Sequence, residues 1–168
     1  KKGVAANGQY PLFLYTHGSG SKDREWSNGI ELGLGFKDAP SIYFIPQIPN
    51  EGEYYRWWHL SKQYAFEKLI RLSLTSGEVD ANRLYVFGIS EGGYGSQRLA
   101  SFYADYWAAA GPMAGGEPLK NAPVENCANI GFSLLTGADD TGFYRNDLTW
   151  FTQVAFDSVQ LARPLAVD

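Results

Sequence analysis

Leu84-Tyr85-Val86-Phe87-Gly88-Ile89-Ser90-Glu91-Gly92-Gly93 is the stretch that decides the fold. Its first half is the apolar, β-branched and aromatic run of a buried strand. Its second half is a G-x-S-x-G motif that leads into helix-compatible sequence over Glu91–Ala104. A serine on a sharp strand-to-helix turn projects its hydroxyl above the sheet, and small residues two positions before and after it avoid clashes. Gly88 and Gly92 meet that need. The helix start also aims free backbone N–H groups and a positive dipole end at whatever the serine attacks. Ser90 is therefore the candidate nucleophile, against the plainer reading of a serine that caps the helix.

Working outward, four more apolar runs read as strands: Leu12–Thr16, Ile42–Ile45, Trp107–Gly111 and Ile130–Leu135. None alternates cleanly, as expected for strands covered on both faces of a parallel sheet. Helical patterns lie between them. Lys62–Thr75 places Ala65, Phe66, Leu69, Ile70 and Leu72 on one face, and Asn146–Val159 spaces Leu148, Phe151, Thr152, Ala155, Phe156 and Val159 likewise. Strands alternating with helices predict an α/β fold, a doubly wound and mostly parallel sheet with right-handed crossovers. Ligands of such sheets bind at the carboxyl ends of the strands.

The 168 residues read as a single domain, 1–168, with 45% hydrophobic and 19% charged side chains. A net charge of −4 and a pI near 5.2 argue against a nucleic-acid partner, since no basic cluster is present to neutralise phosphates. No apolar stretch reaches the length of a bilayer span, so no membrane span is expected. The chain opens Lys1-Lys2 without an initiator Met, as a mature or trimmed product would. Cys127 is the one cysteine, so no internal disulfide forms, and it reads as a bystander thiol.

Three further segments follow strands. His17-Gly18-Ser19-Gly20 comes after Leu12–Thr16. Acyl transfer builds negative charge on a carbonyl oxygen, so donors must be preset around it. The N–H of Glu91 supplies one, and the N–H of Ser19 the other, with Gly20 as the alternative. His17 reads as a brace for this loop on the substrate side; the competing readings are a plain turn or a catalytic base. Thr136-Gly137-Ala138-Asp139-Asp140-Thr141 follows Ile130–Leu135 and offers a carboxylate to orient an imidazole. Asp140 takes that place, Asp139 is its rival, and a solvated turn or a hard-cation site with Asp147 are the other readings. Finally, Glu51-Gly52-Glu53-Tyr54-Tyr55-Arg56-Trp57-Trp58-His59 is rich in aromatics. Trp57 and Trp58 either line the substrate pocket or roof the core while Arg56 pairs with Glu51 or Glu53. His17 and His59, the two histidines, do not make a zinc site, so neither metal nor cofactor is expected.

Taken together, His17-Gly18-Ser19-Gly20, Asp80-x-Asn82-Arg83-Leu84-Tyr85-Val86-x-Gly88-x-Ser90-x-Gly92-Gly93 and Gly137-x-x-Asp140 resemble an α/β-hydrolase. The resemblance is to the polyhydroxybutyrate-depolymerase, feruloyl-esterase and esterase-D-like branch. It implies carboxylic ester hydrolysis through an acyl-enzyme, with Ser90 as nucleophile, Asp140 as triad acid and the N–H groups of Ser19 and Glu91 as oxyanion donors. The substrate is then a small-molecule or polysaccharide-linked ester, in an extracytoplasmic setting. The family's base histidine should follow Asp140, and none does. Three explanations compete: a chain that stops short of the base, a substitution by His59, or an inactive relative that only binds ligand or carbohydrate. The first is the expectation, with a fold short at one or both ends. A serine peptidase of the same fold is the alternative enzyme.

Overall fold

The computed structural model describes residues 1–48 and 56–158. Among these, five strands form one parallel sheet: β1 (Tyr10–Thr16), β2 (Ile42–Phe44), β3 (Val79–Ile89), β4 (Ala109–Met113) and β5 (Gly131–Phe132), in the order β2-β1-β3-β4-β5. The register aligns Leu12 with both Ile42 and Leu84, Val86 with Ala110, and Ala110 with Phe132. Four α-helices follow β1, β2, β3 and β5 in turn: α1 (Lys22–Gly35), α2 (Leu60–Thr75), α3 (Glu91–Phe102) and α4 (Arg145–Ser158), while a 3-10 turn at Val124–Cys127 joins β4 to β5.

Alternation along the strands sorts side chains into two layers. Leu12, Leu14, Leu84, Val86 and Ala110 face α2 and α3, where they close a core with Phe66, Ile70 and Leu99. Each such fully buried aliphatic contributes about 1.5–3 kcal/mol. α4 joins this layer through Phe156, whose ring lies 4.8 Å from that of Phe132 on β5. The opposite face carries Phe13, Tyr15, Tyr43, Tyr85 and Phe87, with Phe13 stacked between Tyr43 at 4.9 Å and Tyr85 at 4.8 Å. Only α1 among the described helices packs there.

Several expected boundaries shift. The third strand begins at Val79 rather than Leu84. The fourth lies at Ala109–Met113, so Trp107 and Ala108 precede it, and the fifth shortens to Gly131–Phe132 with one isolated bridge from Leu135 to Met113. Helix α1 was not expected at all. Its buried positions are Gly29 and Gly33, which let Tyr15 and Tyr43 rings sit against the helix backbone, so glycine occupies the places where a hydrophobic period would have shown. Lys2 fixes the end of this helix: its ammonium donates to the carbonyls of Gly33 at 2.7 Å and Phe36 at 2.6 Å and pairs with Asp38. A cation on the last carbonyls favours the helix terminus.

Candidate active site

Ser90 stands between the last residue of β3 and the first of α3, with φ 56° and ψ −120°. A positive φ is unusual for a non-glycine residue. The turn is held from both sides: Ser90 N–H donates to the Met113 carbonyl at 3.0 Å, and Tyr94 N–H donates back to the Ser90 carbonyl at 3.1 Å. The flanking glycines are required by space. A Cβ at Gly88 would collide with Thr16 Oγ1 and the Gly92 carbonyl, and one at Gly92 with the carbonyls of Thr16 and His17. Thr16 Oγ1 donates to the Gly92 carbonyl at 2.7 Å, locking β1 to the start of α3.

A cavity of about 640 Å³ opens above this turn. Ser19, Ser90, Glu91 and Trp58 line it together with Tyr94, Arg98, Glu117 and Arg145. Four expected site residues therefore share one cavity. The N–H groups of Ser19 and Glu91 meet no acceptor among the described residues, whereas Gly18 N–H is taken by Glu25 Oε2 at 3.1 Å. Glu91 is held outside the turn by accepting Arg56 N–H on Oε1 at 3.2 Å.

His17 and Trp57, expected on the pocket wall, are instead buried beneath it, at 0% and 2% exposure. This is a correction to the sequence reading. Ile48 N–H donates to His17 Nε2 at 3.3 Å, which leaves the ring proton on Nδ1 to donate to the Gly18 carbonyl at 2.7 Å. Trp57 Nε1–H donates to the His17 carbonyl at 2.9 Å, and the two rings meet edge-on. Burial holds the His17 pKa below the ordinary histidine value, against the opposing pull of the Gly18 carbonyl and Glu25. Such an imidazole braces the loop, with both ring nitrogens engaged, and does not line the cavity. His59 is exposed at the N-terminus of α2, its carbonyl accepting from Lys62 and Gln63 N–H, and it does not line the cavity. The pairing of Arg56 with Glu51 or Glu53 lies outside the described residues. Cys127 is buried in the core.

Neither Asp139 nor Asp140 lines the cavity. Asp139 is exposed. Asp140 is half-buried and accepts from Arg145 Nη1 at 3.2 and 3.4 Å, and Arg145 in turn faces the cavity. No three His, Cys, Asp or Glu side chains converge as a metal site among the described residues. No described helix is long and apolar enough to cross a membrane.

The cavity also gathers residues that the sequence reading passed over: Tyr94, Arg98, Glu117 and Arg145. Part of this was visible. Ser90, Tyr94 and Arg98 are spaced by four and share one face of α3. Arg98 pairs through Nε with Glu117 at 2.8 Å and lies 4.2 Å over the Trp58 ring. Glu117 also accepts from Asn121 at 3.0 Å, and its N–H donates to Gln97 Oε1 at 3.0 Å. Nothing local in the sequence links Glu117 to α3.

No protein-family model and no curated protein matches the sequence. Solved structures do match. A thermostable esterase superposes with a TM-score of 0.73 at 22% identity, over 93% of this chain and 45% of its own. A ferulic acid esterase gives 0.60 at 14% identity, over 95% and 77%. An S-formylglutathione hydrolase from Staphylococcus aureus gives 0.62 at 13% identity, over 94% and 72%. The chain thus spans less than half the length of the first of these and about three quarters of the other two. With its parallel sheet in the order β2-β1-β3-β4-β5 and its flanking helices, the chain has the α/β-hydrolase fold.

Proposed function

We propose that this chain carries the nucleophile half of a serine hydrolase acting on carboxylic esters through an acyl-enzyme. The observation that carries the reading is Ser90 at positive φ on the β3–α3 turn, open to a cavity beside two N–H groups without acceptors. On this reading the turn is a nucleophile elbow. Ser90 Oγ attacks the ester carbonyl, and the Ser19 and Glu91 N–H groups receive the charge that develops on its oxygen. Expulsion of the alcohol leaves an acyl-Ser90, which water then hydrolyses to regenerate the serine. Asp140, at the turn after β5, is the carboxylate that would orient the base. Neither His17 nor His59 is that base, for the reasons of burial and position given above. A polysaccharide-linked or small-molecule ester suits a cavity open to solvent.

An unassisted serine is a weak nucleophile at neutral pH, so added imidazole should substitute for the base. With 4-nitrophenyl acetate and imidazole, the expected product is an acetyl adduct on the Ser90 peptide by mass spectrometry, absent in Ser90→Ala. Absence of an adduct on Ser90 under these conditions, and with a fluorophosphonate probe, would overturn the reading. That outcome would favour the binding-module alternative, which the placement of both histidines away from Ser90 otherwise supports.

A further inference from the structure

Two guanidinium groups line the Ser90 cavity. Arg98 comes from α3 and Arg145 from the start of α4, and each lies near an aromatic ring: Arg98 over Trp58 at 4.2 Å, Arg145 beside Phe143 at 5.3 Å. Each is also tied to one carboxylate, Arg98 to Glu117 and Arg145 to Asp140. The carboxylates that line the cavity have donors of their own. Glu117, at 3% exposure, takes Arg98 and Asn121, and Glu91 takes Arg56 N–H. The guanidiniums are not saturated in the same way. An arginine offers five N–H donors, and the two oxygens of Asp140 engage Arg145 only through Nη1.

Arg145 stands beside Tyr94 in the cavity lining, where the guanidinium and the phenol interact through a side-chain hydrogen bond and through charge. With Asp140 engaged only at Nη1, the guanidinium keeps further N–H donors for an acceptor-rich group in the cavity. Pairing with Asp140 and contact with Phe143 hold Arg145 in place, which lowers the ordering cost of binding. A planar oxyanion fits a guanidinium fork and a phenolic O–H together, and a neutral carbonyl satisfies them less well.

We propose that the ester taken by this cavity carries a free carboxylate that docks on Arg145 and Tyr94, as in a half-ester of a dicarboxylic acid. The assignment of the ester rests on Ser90 being the reacting serine; the carboxylate subsite does not. Ser90→Ala protein, which cannot form an acyl adduct, separates the two. Isothermal titration of this protein with monobenzyl succinate and with benzyl methyl succinate compares an anion with its neutral counterpart. The anion should bind at least about tenfold tighter, as charge-assisted hydrogen bonds imply. Adding Arg145→Gln should erase the preference. Adding Tyr94→Phe should weaken the anion severalfold and leave the affinity for the neutral diester unchanged. Equal affinities, no binding of either ligand, or a preference that survives both substitutions would overturn the proposal. The acetyl-adduct experiment on unsubstituted Ser90 reports on the nucleophile independently of these results.

Discussion

At the scale of single residues, His17 sets a pH dependence that belongs to the fold rather than to chemistry. Its imidazole is buried, accepts from Ile48 N–H and donates to the Gly18 carbonyl, and burial keeps its pKa below the ordinary histidine value. As pH falls below the unfolded value of about 6.5, the unfolded chain binds a proton that the folded chain still refuses. The stability from neutral His17 is therefore complete above that pH and declines on acidification toward the lowered folded value. Urea midpoints measured at pH 7.5 and 5.5 should differ, and the difference should shrink in His17→Gln. A midpoint equally sensitive to pH in both proteins would show that other groups govern the decline. Ser90 was legible at this scale because strand, glycines and helix are contiguous around it. The placement of Arg98 was not, because its partners Glu117 and Trp58 come from segments distant in sequence; Arg145 has Asp140 five residues away, but nothing local shows that it faces the Ser90 cavity.

Among the elements, α1 shows why a helix can escape a reading of hydrophobic period. Its contacts with the sheet run through Gly29 and Gly33, so its inner face lacks the apolar side chains, Phe66 and Ile70, that mark α2. The same arrangement gives opposite signs to one kind of substitution. Gly29→Ala would set a methyl at 2.7 Å from the Tyr15 ring, and overpacking of about 1–3 kcal/mol outweighs the gain of up to about 1 kcal/mol in helix propensity. Gly35→Ala meets nothing within 4 Å and should be neutral or stabilising by up to about 1 kcal/mol. Chemical denaturation of the two variants distinguishes them, and a stabilising Gly29→Ala would contradict the packing described. The strands, by contrast, were readable as buried runs. Their ends moved because pairing with a neighbour decides where a strand stops: β3 extends back to Val79 opposite Tyr10, and β5 ends with its short partner on β4.

For the molecule as a whole, the sheet order places β1 between β2 and β3, with Leu12 paired to Leu84 across a long stretch of chain. Parallel pairings of such separation must meet loop-closure entropy before any contact rewards them, so refolding should lie in the slow, millisecond-to-second range. Leu84→Ala, at a fully buried position of β3, is expected to cost about 2–5 kcal/mol and to slow refolding; Phe156→Leu on α4 should instead speed unfolding. Stopped-flow chevrons read both, and an unchanged folding limb for Leu84→Ala would remove β3 from the nucleus. The position of β1 has a further consequence during synthesis. At roughly 5–20 residues per second, the ribosome needs on the order of ten seconds to deliver Gly88 after Thr16. For that interval Tyr10–Thr16, apolar on both faces, keeps the edge that β3 will cover open, even after β2 has emerged to pair with the other. A nascent chain of this design is most in need of a chaperone before Ser90 has been translated.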